Sequence, residues 1–538
     1  MAEPTSQQRA DEELSPARRR LILLVVGLAL MAVVSAVSGL NVALPSLALD
    51  TGATQTELTW IVDSYTVVFA GLLLFAGALG DRYGRRLLLA VGLVIFGSAA
   101  ALGLFVTEPD QLIMVRIVMG IGAAAIMPTT LSVITTSFPE AERPKAIGVW
   151  VGISGGGAIL GLFVTGLLLE WLPWTSFFGL NVALAIVALI GVLIVVPDSV
   201  DEKPPALDVV GALLSFVAMT AFVYGIIEGP GRGWSDPVTI AALATGVISA
   251  VAFVLWELRM KRPLLDPRLF RSRPFSAGTL AITIQFVAAF GFFFISLQYL
   301  QYVTGRSALE AALALLPLPF ILLPTARRAP VIAARVGFRR IVPMGLVLMA
   351  VGFLILGQLA VDSPYWHFLL GLVFFGLGMG LAGTPSTTAI TSSLPRSKQG
   401  VASAVNDTSR ELGSALGIAI LGSVLNQGYR DGMVDAVAGL PAEMAERVLG
   451  SIAFTGSPAV AQFGEKGAQM VEQARQAFVG GVSDALLLGF GILLIAAVAV
   501  AIVAPRSKPG GDASTVGTPQ PGSNGADPES TTPPPAVS

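Results

Sequence analysis

The chain contains no cysteine and a single histidine, His367. Disulfides, iron-sulfur clusters and thiolate metal sites are thereby excluded, and a histidine-rich metal centre with them. Charge is scarce as well: Asp, Glu, Lys and Arg make up 13% of 538 residues and nearly cancel, at a formal net charge of -2. Such a balance gives no reason to expect nucleic acid, and the lysines and arginines are spread over short loops rather than gathered into one patch. With 54% hydrophobic residues, the composition is that of an integral membrane protein whose first partner is the lipid bilayer. Neither a cofactor nor a metal is expected.

What is present is a series of fourteen apolar runs, each about long enough to cross a bilayer as a helix, which takes about 20 residues. They fall at 21–47, 58–79, 87–106, 112–134, 146–168 and 174–196, then at 209–227 and 238–256, then at 275–302, 311–331, 341–360, 367–390, 405–425 and 485–503. A Pro- and charge-rich joint at 198–205 and a basic joint at 257–273 divide them six, two, six. The expected fold is all-α, with an amino-terminal tail at 1–20, a six-helix bundle at 21–200, two linking helices at 206–258 and a second six-helix bundle at 274–504. The second bundle includes a mixed polar segment at 426–483, expected to be an external loop with one or two short amphipathic helices near 442–449 and 468–478. The tail 505–538 is rich in Pro, Gly, Ser and Thr and lacks the apolar surface to fold.

Loop charge orients the chain, because short cytoplasmic loops hold an excess of Lys and Arg. Arg18, Arg19 and Arg20 precede the first run; Arg82, Arg85 and Arg86 follow the second; Arg143 and Lys145 follow the fourth. The run from Arg259 through Lys261, Arg262, Arg268 and Arg271 to Arg273 follows the eighth, Arg335, Arg339 and Arg340 follow the tenth, and Arg396 and Lys398 follow the twelfth. The opposite loops hold Asp50, Glu57, Glu108, Asp110, Glu170 and Asp362. Both termini are therefore expected in the cytoplasm. The first run is too long for a signal-peptide core and reads as retained.

An internal repeat supports the count. The turn after the second run reads GALGDRYGRR, with Gly77, Asp81, Arg82, Gly84, Arg85 and Arg86, and AARVGFRR, with Arg335, Gly337, Arg339 and Arg340, echoes it after the tenth. An offset of eight rather than six puts the two extra helices between the halves. Parallel halves with a site at their interface are the expected transporter architecture.

A few ionisable residues lie inside the runs: Asp63, Arg116, Asp407, Arg410 and Glu411. A carboxylate within a span costs about 2.5–3.5 kcal/mol on insertion scales, so it normally faces a cavity or a partner. Asp63 is expected to face a central cavity and exchange a proton there; the bland alternative is that it lies one turn from the outer end and is hydrated. Asp407, Arg410 and Glu411 are spaced to share one side of a helix, allowing an internal ion pair through Arg410 plus one acid free to titrate. Equally, the cluster caps a helix starting near Asn406. Arg116 reads as a proton-transfer aid or as a structural tie between helices. Trp60, Tyr65, Phe290, Phe294, Gln298 and Tyr299 are candidates for an aromatic and amide lining that would attract organic cations, against the plainer reading as packing or lipid-facing residues. Arg327 and Arg328 read as snorkelling to the headgroups.

Three motifs are set aside. Gly152, Ser154 and Gly156 fit a serine hydrolase pattern without its strand-turn-helix setting. The glycines at 378–383 and 120–122 sit in apolar runs, where small residues let helices approach. No GxxxxGK run followed by Ser or Thr occurs, which argues against a self-contained ATP motor and, with the rest, against an enzyme.

GALGDRYGRR, RIVMGIGAAAIMPTTLS from Arg116, WIVDSYT from Trp60 and GVASAVNDTSRELGSALGIAILGS from Gly400 together resemble the major facilitator superfamily, specifically its 14-helix drug:proton antiporter branch. The resemblance covers nearly all of the chain. It implies a bacterial inner-membrane exporter, expected as a monomer, in which protons and a small lipophilic or cationic substrate alternate. Asp63, Arg116, Asp407 and Glu411 would serve coupling, and the loop residues Gly77, Asp81, Arg82, Gly84, Arg85 and Arg86 would serve gating. The chain departs from the family pattern at Ala36, where members often carry Asp, at Leu162, where the fifth-helix signature usually carries Pro, and at Ala334 in the second loop. These departures keep open the export of an endogenous lipid or metabolite without proton coupling. From another class, a non-transporting receptor or assembly factor is disfavoured by the kept loop and intramembrane charges.

Overall fold

A computed structural model describes residues 14–139, 142–200, 207–261, 263–394 and 399–505. The basic-loop residues Arg262, Arg396 and Lys398, most of the two tails and the end of the first joint lie outside the described residues, as does the Ser154 side chain. The helices, in order, are α1 (Pro16–Thr51), α2 (Gln55–Tyr83), α3 (Arg85–Gly103), α4 (Pro109–Ser137), α5 (Arg143–Leu168), α6 (Ser176–Val195), α7 (Val209–Arg232) and α8 (Pro237–Arg259). They continue as α9 (Arg273–Val303), α10 (Ala308–Val336), α11 (Phe338–Leu356), α12 (Tyr365–Ser392), α13 (Gln399–Met433), the short α14 (Ala442–Gly450), α15 (Ile452–Thr455) and α16 (Pro458–Ala461), and α17 (Glu465–Val503). There is no strand among the described residues.

Twelve of these helices are long and apolar enough to cross a membrane: all of α1 to α12 except α5, and α17. Only the stretch Gly156–Leu168 of α5 reads as an apolar helix, and α13, with Asp407, Arg410, Glu411, Arg430 and Asp431, is too polar to count. Local chemistry sets several ends. Thr54 and Glu57 form a reciprocal cap at the start of α2, and Ser307 with Glu310 does the same at α10. Gly84, at φ 111°, and Gly337, at φ 83°, occupy the left-handed region favoured by glycine and turn α2 into α3 and α10 into α11. The repeat seen in the sequence is therefore a repeated turn.

The packing repeats too. In the first half α1 lies against α4, α5 and α6, α2 against α4, and α3 against α4 and α6; in the second, α9 lies against α12, α13 and α17, α10 against α12, and α11 against α12 and α17. Each contact maps onto its counterpart by the same eight-helix offset, with α17 standing for α6. Two matching seams join the halves, α2 with α13 and α5 with α10. The inserted hairpin α7–α8 breaks the symmetry: α7 packs on both α2 and α13, covering one seam only.

Two boundaries differ from the expectation. The helix α13 starts by Gln399 and runs to Met433, so Asp407 lies in its interior and does not cap its start. The segment 426–483 is not one loop, because α13 enters it and α17 begins at Glu465, absorbing the expected helix at 468–478 into one continuous 39-residue helix. Polar residues on those extensions lowered the apparent hydropathy without ending the helices.

Candidate functional site

Between the halves lies a cavity of about 290 Å³. Its walls come from both: Val33, Val37, Ser38 and Asn41 of α1, Phe69 of α2, Met127 of α4, Ile159, Leu162 and Phe163 of α5, then Phe286, Phe290 and Phe293 of α9, Leu315, Leu318 and Pro319 of α10, Met379 of α12, and Arg410 and Glu411 of α13. Arg410 and Glu411 are the charged lining groups. Arg410 sits 4.7 Å from the Phe286 ring centre, and Phe286 stacks on Phe290 at 5.9 Å, so a cation and two aromatic faces form one strip of wall. Asn41 donates to the Val37 carbonyl at 3.0 Å and leaves its Oδ1 without a partner.

A second cavity, of about 390 Å³, shares Met127 with the first and lies toward the end bearing the GALGDRYGRR turn. Gly77 and Asp81 of α2, Pro128 of α4, Pro263 and Leu264 of the linker, and Asp407 of α13 line it. Asp81 accepts from Arg85 Nε at 3.1 Å and Nη2 at 2.9 Å. Arg86 donates to the Leu193 carbonyl near the end of α6 at 2.6 Å, and Arg339 donates to the Ala501 carbonyl near the end of α17 at 2.7 Å. Those two contacts are the same contact in the two halves. Arg82 is exposed, as are Arg327 and Arg328.

The opposite end is tied shut across the halves. Asn426 Nδ2 of α13 donates to Thr56 Oγ1 of α2 at 3.0 Å, Gln301 of α9 donates to the Val42 carbonyl of α1 at 3.1 Å, and Ser307 donates to Glu170 Oε1 at 2.6 Å. The α7 helix adds two ties, from Trp60 Nε1 of α2 to Glu228 Oε1 at 2.9 Å and from Ser423 of α13 to the Ile226 carbonyl at 2.8 Å.

Asp63 does not line either cavity. Helical spacing places it on the α2 face that carries Thr56, Thr59, Trp60 and Val67, and those residues meet α13 and α7: Thr59 lies beside Gly422, and Val67 clusters with Val223, Ala415 and Ala419. Its side chain is fully buried, with both carboxylate oxygens lacking a hydrogen-bond partner. At 0% exposure Asp63 is not a solvated helix end, and the helical face it shares is the one that meets α7 and α13. Arg116 is also fully buried; it donates from Nε to the Ile61 carbonyl at 2.9 Å and from Nη1 to the Ala36 carbonyl at 3.1 Å, with its guanidinium 4.2 Å from the Tyr65 ring centre.

The expected internal ion pair is absent. Neither Asp407 nor Glu411 comes within 4.0 Å of Arg410 in a salt bridge among the described residues, because the guanidinium turns onto Phe286. Asp407 and Glu411 instead face different cavities.

Of the six residues named as a lining, Phe290 lines the central cavity. Trp60 is held by Glu228, and Tyr65 donates to the Val33 carbonyl at 3.0 Å. Phe294 packs against Gly422, Gln298 donates to the Phe294 carbonyl, and Tyr299 donates to the Ala360 carbonyl at 2.9 Å. The cavity face of α9 is Phe286, Phe290 and Phe293, an i, i+4, i+7 row; the set 290, 294 and 298 drifts off it, since adjacent residues point about 100° apart. Asn41 and Phe69 carried no distinguishing signal.

Two pseudo-symmetric helical halves around an interfacial cavity define a membrane transporter. The family model "Major Facilitator Superfamily" matches residues 24–418. The chain belongs to the major facilitator superfamily. It is 34% identical over 493 residues to the multidrug efflux pump LfrA of Mycolicibacterium smegmatis, covering 91% of this chain and 97% of that one. It is 32% identical to the methyl viologen resistance protein SmvA of Salmonella typhimurium, over 89% and 97%, and 35% identical to the puromycin resistance protein pur8 of Streptomyces alboniger, over 76% and 82%. Among solved structures, a bacterial homologue of the human lysosomal transporter Spinster superposes with a TM-score of 0.66 at 15% identity, covering 91% of this chain and 98% of that one, which shows the shared fold.

Proposed function

We propose that this protein exports lipophilic or cationic drugs across the bacterial cell membrane by alternating access, driven by protons. The observation that carries the reading is the cavity between the halves, apolar and aromatic over most of its wall, with Glu411 beside it. Such a wall accepts organic cations of varied shape, each aromatic face contributing about 0.5–2 kcal/mol. The relatives at 32–35% identity that are named for drug efflux or resistance support the same reading.

In this account α5 and α13 complete fourteen spans, and both termini, with the GALGDRYGRR turn, are cytoplasmic. The second cavity then leads from the cytoplasm toward the central one, while the Thr56–Asn426, Val42–Gln301 and Glu170–Ser307 ties close the outside. Asp63 supplies coupling from the seam rather than from the drug site. A carboxylate with no partner in such a seam is costly, and a proton arriving as the outer end opens is the partner it lacks. Arg116 holds α1, α2 and α4 in register behind it. Asp81 with Arg85, next to Gly77 and Gly84, biases the inner side between its two states, and Asp407 meets protons leaving through the second cavity. The monomer suffices, because the cavity is built from one chain.

Ethidium movement in proteoliposomes under an imposed pH gradient tests this. Movement that follows the gradient and stops when a proton exchanger collapses it supports the reading; ethidium flux indifferent to the gradient contradicts it.

A further inference from the structure

The inner end of the inserted hairpin holds two carboxylates that the transport reading does not use. Asp208 precedes α7 and Glu257 lies in the last turn of α8; they are 3% and 0% exposed. Asp208 accepts from Gly211 N at 2.8 Å and from Trp256 Nε1 at 3.0 Å to each oxygen. Glu257 has no such support: both of its oxygens are buried without a hydrogen-bond partner. One Glu257 oxygen and one Asp208 oxygen each lie 2.6 Å from the point a Cβ would take on Gly211, so the two acids share one small gap that only a glycine leaves open.

The gap sits under the linker. The backbone amides of Leu264 and Leu265 face Glu257 without reaching hydrogen-bonding geometry; Asp208 from α7 and Asp266 from the linker are the acids near it, and the Arg268 guanidinium is held on the neighbouring Leu258 carbonyl at 2.8 Å without pairing with Glu257. Asp266 is itself turned to Arg268, at 3.8 Å. On its far side the linker does two things. Pro263 and Leu264 wall the second cavity, across from Asp81 and Asp407, and Leu265 and Leu269 pack on the apolar cluster of Phe275, Ile282 and Val405 at the inner end of the second half.

We propose that Glu257, facing Asp208 across this gap, is a proton-binding site, separate from Asp63 and from the central cavity, whose proton holds the linker down as a wall of the second cavity. Two carboxylates in one dry gap cannot both carry charge without a compensating cation. One proton removes the repulsion and supplies the missing donor; losing it charges both acids and lifts the strap at Pro263 and Leu264. The site reports pH at the face that bears the GALGDRYGRR turn, so it adjusts access to the second cavity and does not depend on which substrate is carried.

The chain has no cysteine, so a single Leu264→Cys reports the strap without background labelling. The protein is placed in nanodiscs and its labelling by a polar maleimide followed from about pH 6 to pH 8.5, each rate divided by that of the exposed Arg271→Cys to remove the pH dependence of thiol chemistry. The ratio is expected to rise several-fold with pH, to stay low and flat once Glu257→Gln is added, and to rise much less with Asp208→Asn, which leaves Glu257 no like charge to repel. A flat ratio in the parent overturns the proposal, as does an unchanged rise in both variants. High labelling at every pH with a correctly folded Glu257→Gln also overturns it, since Glu257 would then be an ionised anchor for the linker amides.

Discussion

Arg116 of α4 donates across 3.1 Å to the carbonyl oxygen of Ala36 in α1. The acceptor is the backbone carbonyl of residue 36, so the bond does not depend on the side chain at that position. With its second bond to Ile61 and the Tyr65 ring beneath it, Arg116 joins three helices at a fully buried point.

Arg116→Met keeps much of the volume and removes the donors. Hydrogen bonds to charged groups contribute about 1.5–3 kcal/mol each, so the unfolding temperature in detergent should fall by several degrees or more. Arg116→Lys should fall between, because an ammonium on a flexible stem cannot bridge the two carbonyls as a planar fork does. Thermal unfolding followed by intrinsic fluorescence checks both; a Met variant as stable as wild type would show that these bonds contribute nothing net.

Glu411 and Arg410 bring a carboxyl and a guanidinium into one apolar cavity. Glu411→Gln should raise KM for monovalent organic cations by roughly tenfold, the equivalent of about 1.4 kcal/mol, and leave neutral substrates nearly unchanged. Arg410→Gln should shift selectivity the other way, favouring cations. Concentration-dependent transport of one cationic and one neutral dye separates the two effects.

Thr56 and Asn426 tie α2 to α13 at the closed end. In this cysteine-free chain, the pair Thr56→Cys and Asn426→Cys should cross-link on mild oxidation, stop transport, and recover on reduction. Full turnover by the cross-linked protein would mean that this seam stays closed throughout the cycle.

Gly84 sits at φ 111°, and the place a Cβ would take there has no atom nearer than 3.6 Å, so its requirement is backbone strain alone. Gly84→Ala should lower stability by about 1–3 kcal/mol, read as a lower unfolding temperature, and Gly84→Asn should be no milder, because at ψ 130° the residue lies outside the αL well that Asn tolerates.

The all-helical membrane fold and the repeated turn were legible because long apolar runs and glycine-arginine turns are local signals. The ends of α13 and α17 were not: Asp407 and Arg410 lower hydropathy while the helix continues, and Glu465 to Phe478 is polar for the same reason. The cavity was less legible, for of the six residues expected to line it Phe290 does. Glu411, Arg410 and Phe290 stand out as charge or aromatic in a span, yet the choice of Phe294 over Phe293 turned on one residue of helical phase. Asp63 stood out by its membrane cost, but its burial away from the cavity was not legible, nor was the packing of α7 on α2 and α13, because no local pattern says which seam an inserted hairpin will cover.

Asp63→Asn tests the central claim most directly, with two measurements on the same proteoliposomes. Ethidium movement driven by a pH gradient and ethidium exchange at equal pH should part company: the first abolished, the second retained, because the seam carries coupling and the cavity carries the drug. Gradient-driven movement that survives the substitution would contradict the account, and so would a folded variant that loses exchange as well.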